Sequence, residues 1–174
     1  MRQGIIALFL LLCIGACLAL YPVWVLSFSR ADRIIFLKVI QPGDTFQLGY
    51  LHSIARSDVW DSFLVDSEYR IVLTETRFKE QGMGLPFNTE QGEQLHREGE
   101  WFRLTGRQQI VPSIIWRVQS QWRNRFRFGT DSEADFSARI GDALIHIQVK
   151  KVRFIDWLGF YLRGTILTAW TRRG

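Results

Sequence analysis

No charged residue occurs between Ile5 and Ser29, whereas from Arg30 onward apolar and polar positions alternate in short runs separated by turn residues. An uncharged stretch of about 25 residues, each rising 1.5 Å in a helix, is long enough to traverse a hydrocarbon core of roughly 30 Å. The pattern predicts a transmembrane signal-anchor helix over 1–30, with Tyr21 and Trp24 as interfacial aromatics near its far end and Pro22 kinking it there. Arg2 followed by Ile5 to Ala19 also partly fits a cleavable secretory signal. The run Ile14-Gly15-Ala16-Cys17 has the form of a lipoprotein cleavage box, but a chain beginning at Cys17 would continue Leu-Ala-Leu-Tyr-Pro instead of a polar tether. Flanking charge does not orient the segment, because Arg2 is set against Arg30, Arg33 and Lys38.

Residues 31–153 read as one β-rich domain. Ile34 to Ile40 is rich in β-branched and aromatic residues, Pro42-Gly43-Asp44 supplies a turn, and Thr45 to His52 sets Phe46, Leu48, Tyr50 and His52 against Thr45, Gln47 and Gly49. Val59 to Val65 and Tyr69 to Lys79 add two more strands. Gln81 to Gly99 changes to Gly, Gln, Glu and Asn and is expected to be a long surface loop. Strand character resumes at Trp101 to Leu104 and at Ile110 to Val118, where Pro112 suits an edge or a bulge. Trp122 to Phe128 and Ala143 to Lys150 alternate again. In the tail, 154–174, Ile155, Leu158, Leu162, Ile166 and Ala169 recur at helical spacing among Trp157, Phe160, Tyr161 and Trp170. That is the pattern of an amphipathic helix on a membrane, or of an element packed on the domain's own core. Eight or nine strands with little helix imply an antiparallel β-sandwich or a partly open barrel.

Composition adds two constraints. Cys13 and Cys17 both lie in the apolar segment, so no disulfide can staple the domain. The net charge of +5 favours anionic neighbours. Six arginines and no acid lie between Trp101 and Thr130, interleaved with Trp and Phe. Beside a membrane, that reads as a solvated or headgroup-facing strand in preference to a nucleic-acid surface.

Candidate chemistry concentrates in Gly49 to Asp61, which holds Tyr50, His52, Ser53, Arg56, Ser57 and two carboxylates. His52 and Ser53, adjacent on an expected strand, would face opposite ways and form no nucleophile–base pair. The same residues could instead simply close the end of the core. Three widely spaced histidines with no thiol in the domain do not make a metal site. Gly82-Met83-Gly84-Leu85-Pro86 could bring backbone N–H groups near an anion, but without a following helix signal it is not a phosphate loop.

The sequence Tyr50-x-His52-Ser53, followed by Val59 and Phe63 and then by Gly82-x-Gly84-Leu85-Pro86, resembles the bacterial family called domain of unknown function 1850, over about residues 34–152. Met83 stands where a small residue is expected. The resemblance implies a protein associated with TAXI-type TRAP transporters of organic anions, with its domain on the periplasmic side of the bacterial inner membrane. It implies no catalytic residue. The expectation is thus a non-enzymatic, single-pass accessory protein. Its partners would be membrane lipid and a TRAP permease or TAXI binding protein, and its surface would be formed by Tyr50, His52, Ser53, Arg56, Gly82, Gly84 and Pro86. A periplasmic module that binds a small organic anion is the alternative, and a hydrolase using Ser53 or Ser57 is a third reading. No cofactor, metal or nucleic acid is expected.

Overall fold

The computed structural model describes residues 2–54, 56–79 and 92–163. A helix, α1 (Arg2–Leu20), leads into strands β1 (Pro22–Arg30), β2 (Arg33–Val39), β3 (Thr45–Leu51), β4 (Asp58–Val65) and β5 (Ile71–Phe78). Then come β6 (Gln94–Glu98), β7 (Trp101–Thr105), β8 (Gln109–Val111), β9 (Ile114–Val118), β10 (Arg125–Phe128) and β11 (Ala134–Asp135). A short helix α2 (Phe136–Ile140), the long strand β12 (Ala143–Arg153) and helix α3 (Phe154–Leu162) follow.

The strands form two sheets, and each strand pairing is antiparallel. One has the order β2-β1-β12-β9; the other runs β11-β10-β3-β4-β5-β7-β6, with β8 paired to β5. Neither closes into a barrel. Leu26, Phe28, Trp116, Ile145 and Ile147 from the first sheet and Phe46, Leu48, Phe63 and Phe126 from the second share one buried core. Its centre is aromatic: the Phe28 ring lies 5.0 Å from Phe36, 4.9 Å from Phe126 and 5.4 Å from Phe136, in edge-on or tilted contacts that suit the ring quadrupoles.

The expected helix over 1–30 is corrected. Among the described residues no helix is long and apolar enough to cross a membrane. Helix α1 stops at Leu20, and residues 22–30 are a strand, the second of four in its sheet, with Val25, Leu26 and Phe28 fully buried. Pro22 does not kink a helix but opens the strand, where its missing N–H costs nothing. Trp24 lies on this strand and not on a helix, stacked on Tyr69 at 4.5 Å with Lys151 over its face. Lack of charge marks burial as readily in protein as in lipid, and here the β-branched and aromatic content of Val23 to Phe28 favours a sheet.

Pro112 divides the expected strand 110–118 in two. Strand β8 before it joins one sheet and β9 after it joins the other, so proline marks the point where the chain changes layers. The expected strand from Trp122 starts only at Arg125, because Ser120–Trp122 is a 3-10 turn closed by Arg123 in the left-handed region at φ 47°. Part of the expected loop 81–99 is strand β6, and its first part, 81–91, lies outside the described residues.

Strand β1 pairs with β12 along its whole length, from Pro22 opposite Arg153 to Arg30 opposite Ile145. Helices α1 and α3 therefore leave the body at the same end. The backbone N–H of Phe154 donates to Tyr21 O at 2.8 Å, and the two helices touch. Ile5, Phe9, Leu11, Leu12, Ile14 and Leu18 of α1 are all more than half exposed, and no residue of α3 is buried.

Candidate functional site

Strand β3 ends at Leu51, and the chain then turns. The His52 N–H donates to Ser57 O at 2.9 Å and the Arg56 N–H donates to His52 O at 2.8 Å. Arg56 takes φ 48°, a left-handed conformation uncommon for a residue with a Cβ. Because His52 and Ser53 lie past the strand end, the alternation expected to place them on opposite faces no longer applies. Both line a cavity of about 290 Å³ together with Tyr50 and Leu51. Arg56 is not among its lining residues, and Gly82, Gly84 and Pro86 lie outside the described residues.

The opposite wall comes from residues that sequence reasoning did not connect to this motif: Trp116 and Arg117 of β9, then Gln119, Trp122 and Asn124. Asn124 is 2% exposed and ties this wall together. Its Oδ1 accepts from the Gln119 N–H at 2.8 Å, its Nδ2 donates to Arg117 O at 3.3 Å, and its backbone carbonyl accepts from the Phe136 N–H at 2.8 Å. The Trp122 indole donates to Gln119 Oε1 at 3.1 Å. Trp116, by contrast, is 7% exposed, and its indole N–H has no acceptor among the described residues. An indole can only donate, and a buried donor without an acceptor costs about 1–3 kcal/mol. Ser57, in the turn below, likewise buries an unpartnered hydroxyl.

Behind the cavity, Tyr50 packs against Val59 and Phe78. Burial, and secondarily the charge of Asp61, raises its phenol well above the ordinary range. Asp61 lies on the same face of β4 as Val59, opposite Leu48. Its carboxyl is pushed up by burial, against the opposing effects of a hydrogen bond from Thr76 and the charge of Arg107. A relay runs inward from the surface: Arg107 Nε donates to Glu93 at 2.9 Å, Arg107 Nη1 to Thr76 Oγ1 at 3.2 Å, and Thr76 Oγ1 to Asp61 at 2.7 Å.

The arginine-rich stretch is corrected as well. Four of its six members, Arg103, Arg107, Arg125 and Arg127, are paired within the protein, and only Arg117 and Arg123 are exposed without an ion pair among the described residues. Arg125 bonds Asp58 at 2.5 Å and reaches Glu133 at 3.4 Å, while Arg127 reaches Glu133 at 3.3 Å. Both guanidiniums lie over the Trp60 ring, at 4.8 and 5.3 Å. Arg103 pairs with Glu75 and Glu98. Among the described residues, no group of His, Cys, Asp or Glu converges as a metal site would require.

The family model described as Domain of unknown function (DUF1850) matches residues 46–134, which takes in the Tyr50 to Ser57 turn and both walls of the cavity. No curated protein and no solved structure matches the chain.

Proposed function

We propose, from the premise that this chain belongs to the family Domain of unknown function (DUF1850), whose model covers just over half of it, that it is a membrane-held binding module. Its ligand site is the cavity between the His52 turn and Trp116. The observation that carries this reading is the buried Trp116 indole N–H, left without an acceptor in the wall of a cavity that the family's own Tyr50 and His52 positions help build. A ligand that supplies an oxygen acceptor, such as a small organic carboxylate, would complete that donor once the indole, whose nitrogen is now covered, turns toward the cavity. The two indoles and Leu51 would cover its apolar part, and Arg117 would offset its charge.

The membrane part of the proposal is supported by α1, whose apolar side chains no part of the described protein covers, and by α3, which emerges beside it with Trp157 stacked on Tyr161 at 5.6 Å. Trp116 and its register partner Ile145 sit eight residues along β12 from Arg153, roughly 27 Å at strand rise. The cavity therefore lies at the end of the body away from the helices. A periplasmic placement beside a TRAP-type organic-anion transporter, as the resemblance implies, suits a pocket of this chemistry. Co-purification of a permease or binding protein with the tagged chain, and protease accessibility in spheroplasts, test those two parts.

The central test is calorimetric titration of the detergent-purified chain with a panel of small carboxylates. Trp116→Phe keeps an aromatic side chain and removes the donor, at the cost of a small void in the core, so the expected result is about tenfold weaker binding by a chain that still unfolds cooperatively. Absence of binding by every carboxylate, or equal affinity in the variant, sinks the reading.

A further inference from the structure

A second and larger hollow, about 780 Å³, lies between α3, the start of β2 and the end of β12. Its walls are apolar, with Ile34, Leu37, Val152, Ile155 and Phe160, and Arg33 and Arg163 also line it. Asp156 lines it too, but both its oxygens are taken by Arg153, at 2.7 and 3.1 Å. The neighbouring cations are likewise engaged: Arg30 donates to Ile140 O, and Lys38 pairs with Asp131 at 3.1 Å. Arg33 and Arg163 have no carboxylate or other hydrogen-bond acceptor among the described residues. The second of them lies over Gly159. A Cβ at that position would sit 3.6 Å from the Arg163 Nη2, so the guanidinium folds back over the bare helix backbone.

We propose that this groove binds one anionic phospholipid, with its acyl chain along the apolar wall and its phosphate between Arg33 and Arg163. The inference rests on the membrane part of the reading above. Two arginines without protein acceptors, on a groove whose remaining wall is apolar but for the Arg153-paired Asp156, match the two halves of such a molecule, since guanidinium pairs bidentately with phosphate oxygens. One wall of the groove is α3, which touches α1, at the end of the body from which the apolar helices emerge, where such a lipid would be at hand.

The test uses the detergent-purified full chain and a fluorescent phosphatidylglycerol, with phosphatidylcholine and inorganic phosphate as competitors. Saturable phosphatidylglycerol binding that neither competitor displaces supports the proposal. Arg33→Gln and Arg163→Gln should each weaken it about tenfold, as expected for loss of one charged hydrogen-bonding partner. Gly159→Leu, which favours the helix, should weaken it by crowding the guanidinium. Displacement by phosphate alone would make this a free-anion site, and equal affinity for phosphatidylcholine would make it merely apolar. Either result overturns the proposal, as does the absence of saturation. Membrane fractionation of the same variants separates the two inferences. A chain that stays with the membrane but shows no phosphatidylglycerol preference refutes the groove, whereas a chain found in the aqueous fraction refutes the anchoring itself.

Discussion

Replacing Phe28 by alanine tests the reassignment of residues 22–30 from lipid-embedded helix to core strand. The side chain is fully buried and meets three other phenylalanine rings at 4.9–5.4 Å. Phe→Ala in such a site costs about 3–5 kcal/mol, the removed transfer energy plus the cavity left between two sheets that cannot both collapse inward. For a domain stable by roughly 5–15 kcal/mol, that is a large fraction of the total. Urea unfolding of the full chain in mild detergent, followed by tryptophan fluorescence, should show it. With a slope of about 2 kcal/mol/M, the midpoint falls by roughly 1.5–2.5 M. Leu11→Ala is the control, because Leu11 is 67% exposed on α1 and its loss should move the domain midpoint by no more than about 0.3 M. A Phe28→Ala midpoint within that same margin would mean that residue 28 does not hold the two sheets together, and the strand assignment would fall.

Gly49→Ala should lower the melting temperature, because a Cβ there would lie 2.8 Å from the Trp60 ring, over which the Arg125 and Arg127 guanidiniums also lie. A cost of about 1–3 kcal/mol and a changed tryptophan emission are expected, and an unchanged melting curve would show that the ring moves freely. Asp61→Asn should flatten the pH dependence of stability. The carboxyl pKa is raised on folding, so the folded state binds the proton more tightly, and the stability this gives is complete below the ordinary carboxylate range and lost as pH rises through the folded value. Melting temperatures from pH 4 to 7 should therefore fall less in Asp61→Asn than in the parent, and parallel curves would refute the coupling.

Much of the body could be read from the chain. Strands β2 to β5 carry period-two patterning between turn residues, and their observed limits fall within a few residues of those expected. What escaped was whatever depends on a distant partner. Val23 to Phe28 look the same to a hydropathy scan whether lipid or β12 covers them, and β12 lies at the other end of the sequence. The arginines of β10 looked unpaired because Asp58 comes from β4, while Glu133 follows them just beyond the strand. Asp61 counted only as one of two carboxylates in the Gly49 to Asp61 stretch, although its parity with Val59 and Phe63 already placed it inward. Tyr50, His52 and Ser53 were legible as a motif. Their opposite wall was not, since nothing in the spacing of Trp116, Gln119 and Asn124 ties them to a turn some sixty residues earlier.

The side-by-side arrangement of the outermost strands bears on the order in which the molecule can be completed during translation. Ser29 and His146 face each other across that seam but are separated by 117 positions. At about 5–20 residues per second, the ribosome needs roughly 6–23 s to deliver the missing neighbour. For that interval, the nascent β1 can hydrogen-bond to β2 on one flank while its other flank stays open, an exposed edge of the kind that recruits wrong partners. Completion of the layer, and the meeting of Tyr21 with Phe154, must then come last, so a ribosome stalled before residue 143 would leave a half-built sheet with a core strand uncovered along one edge.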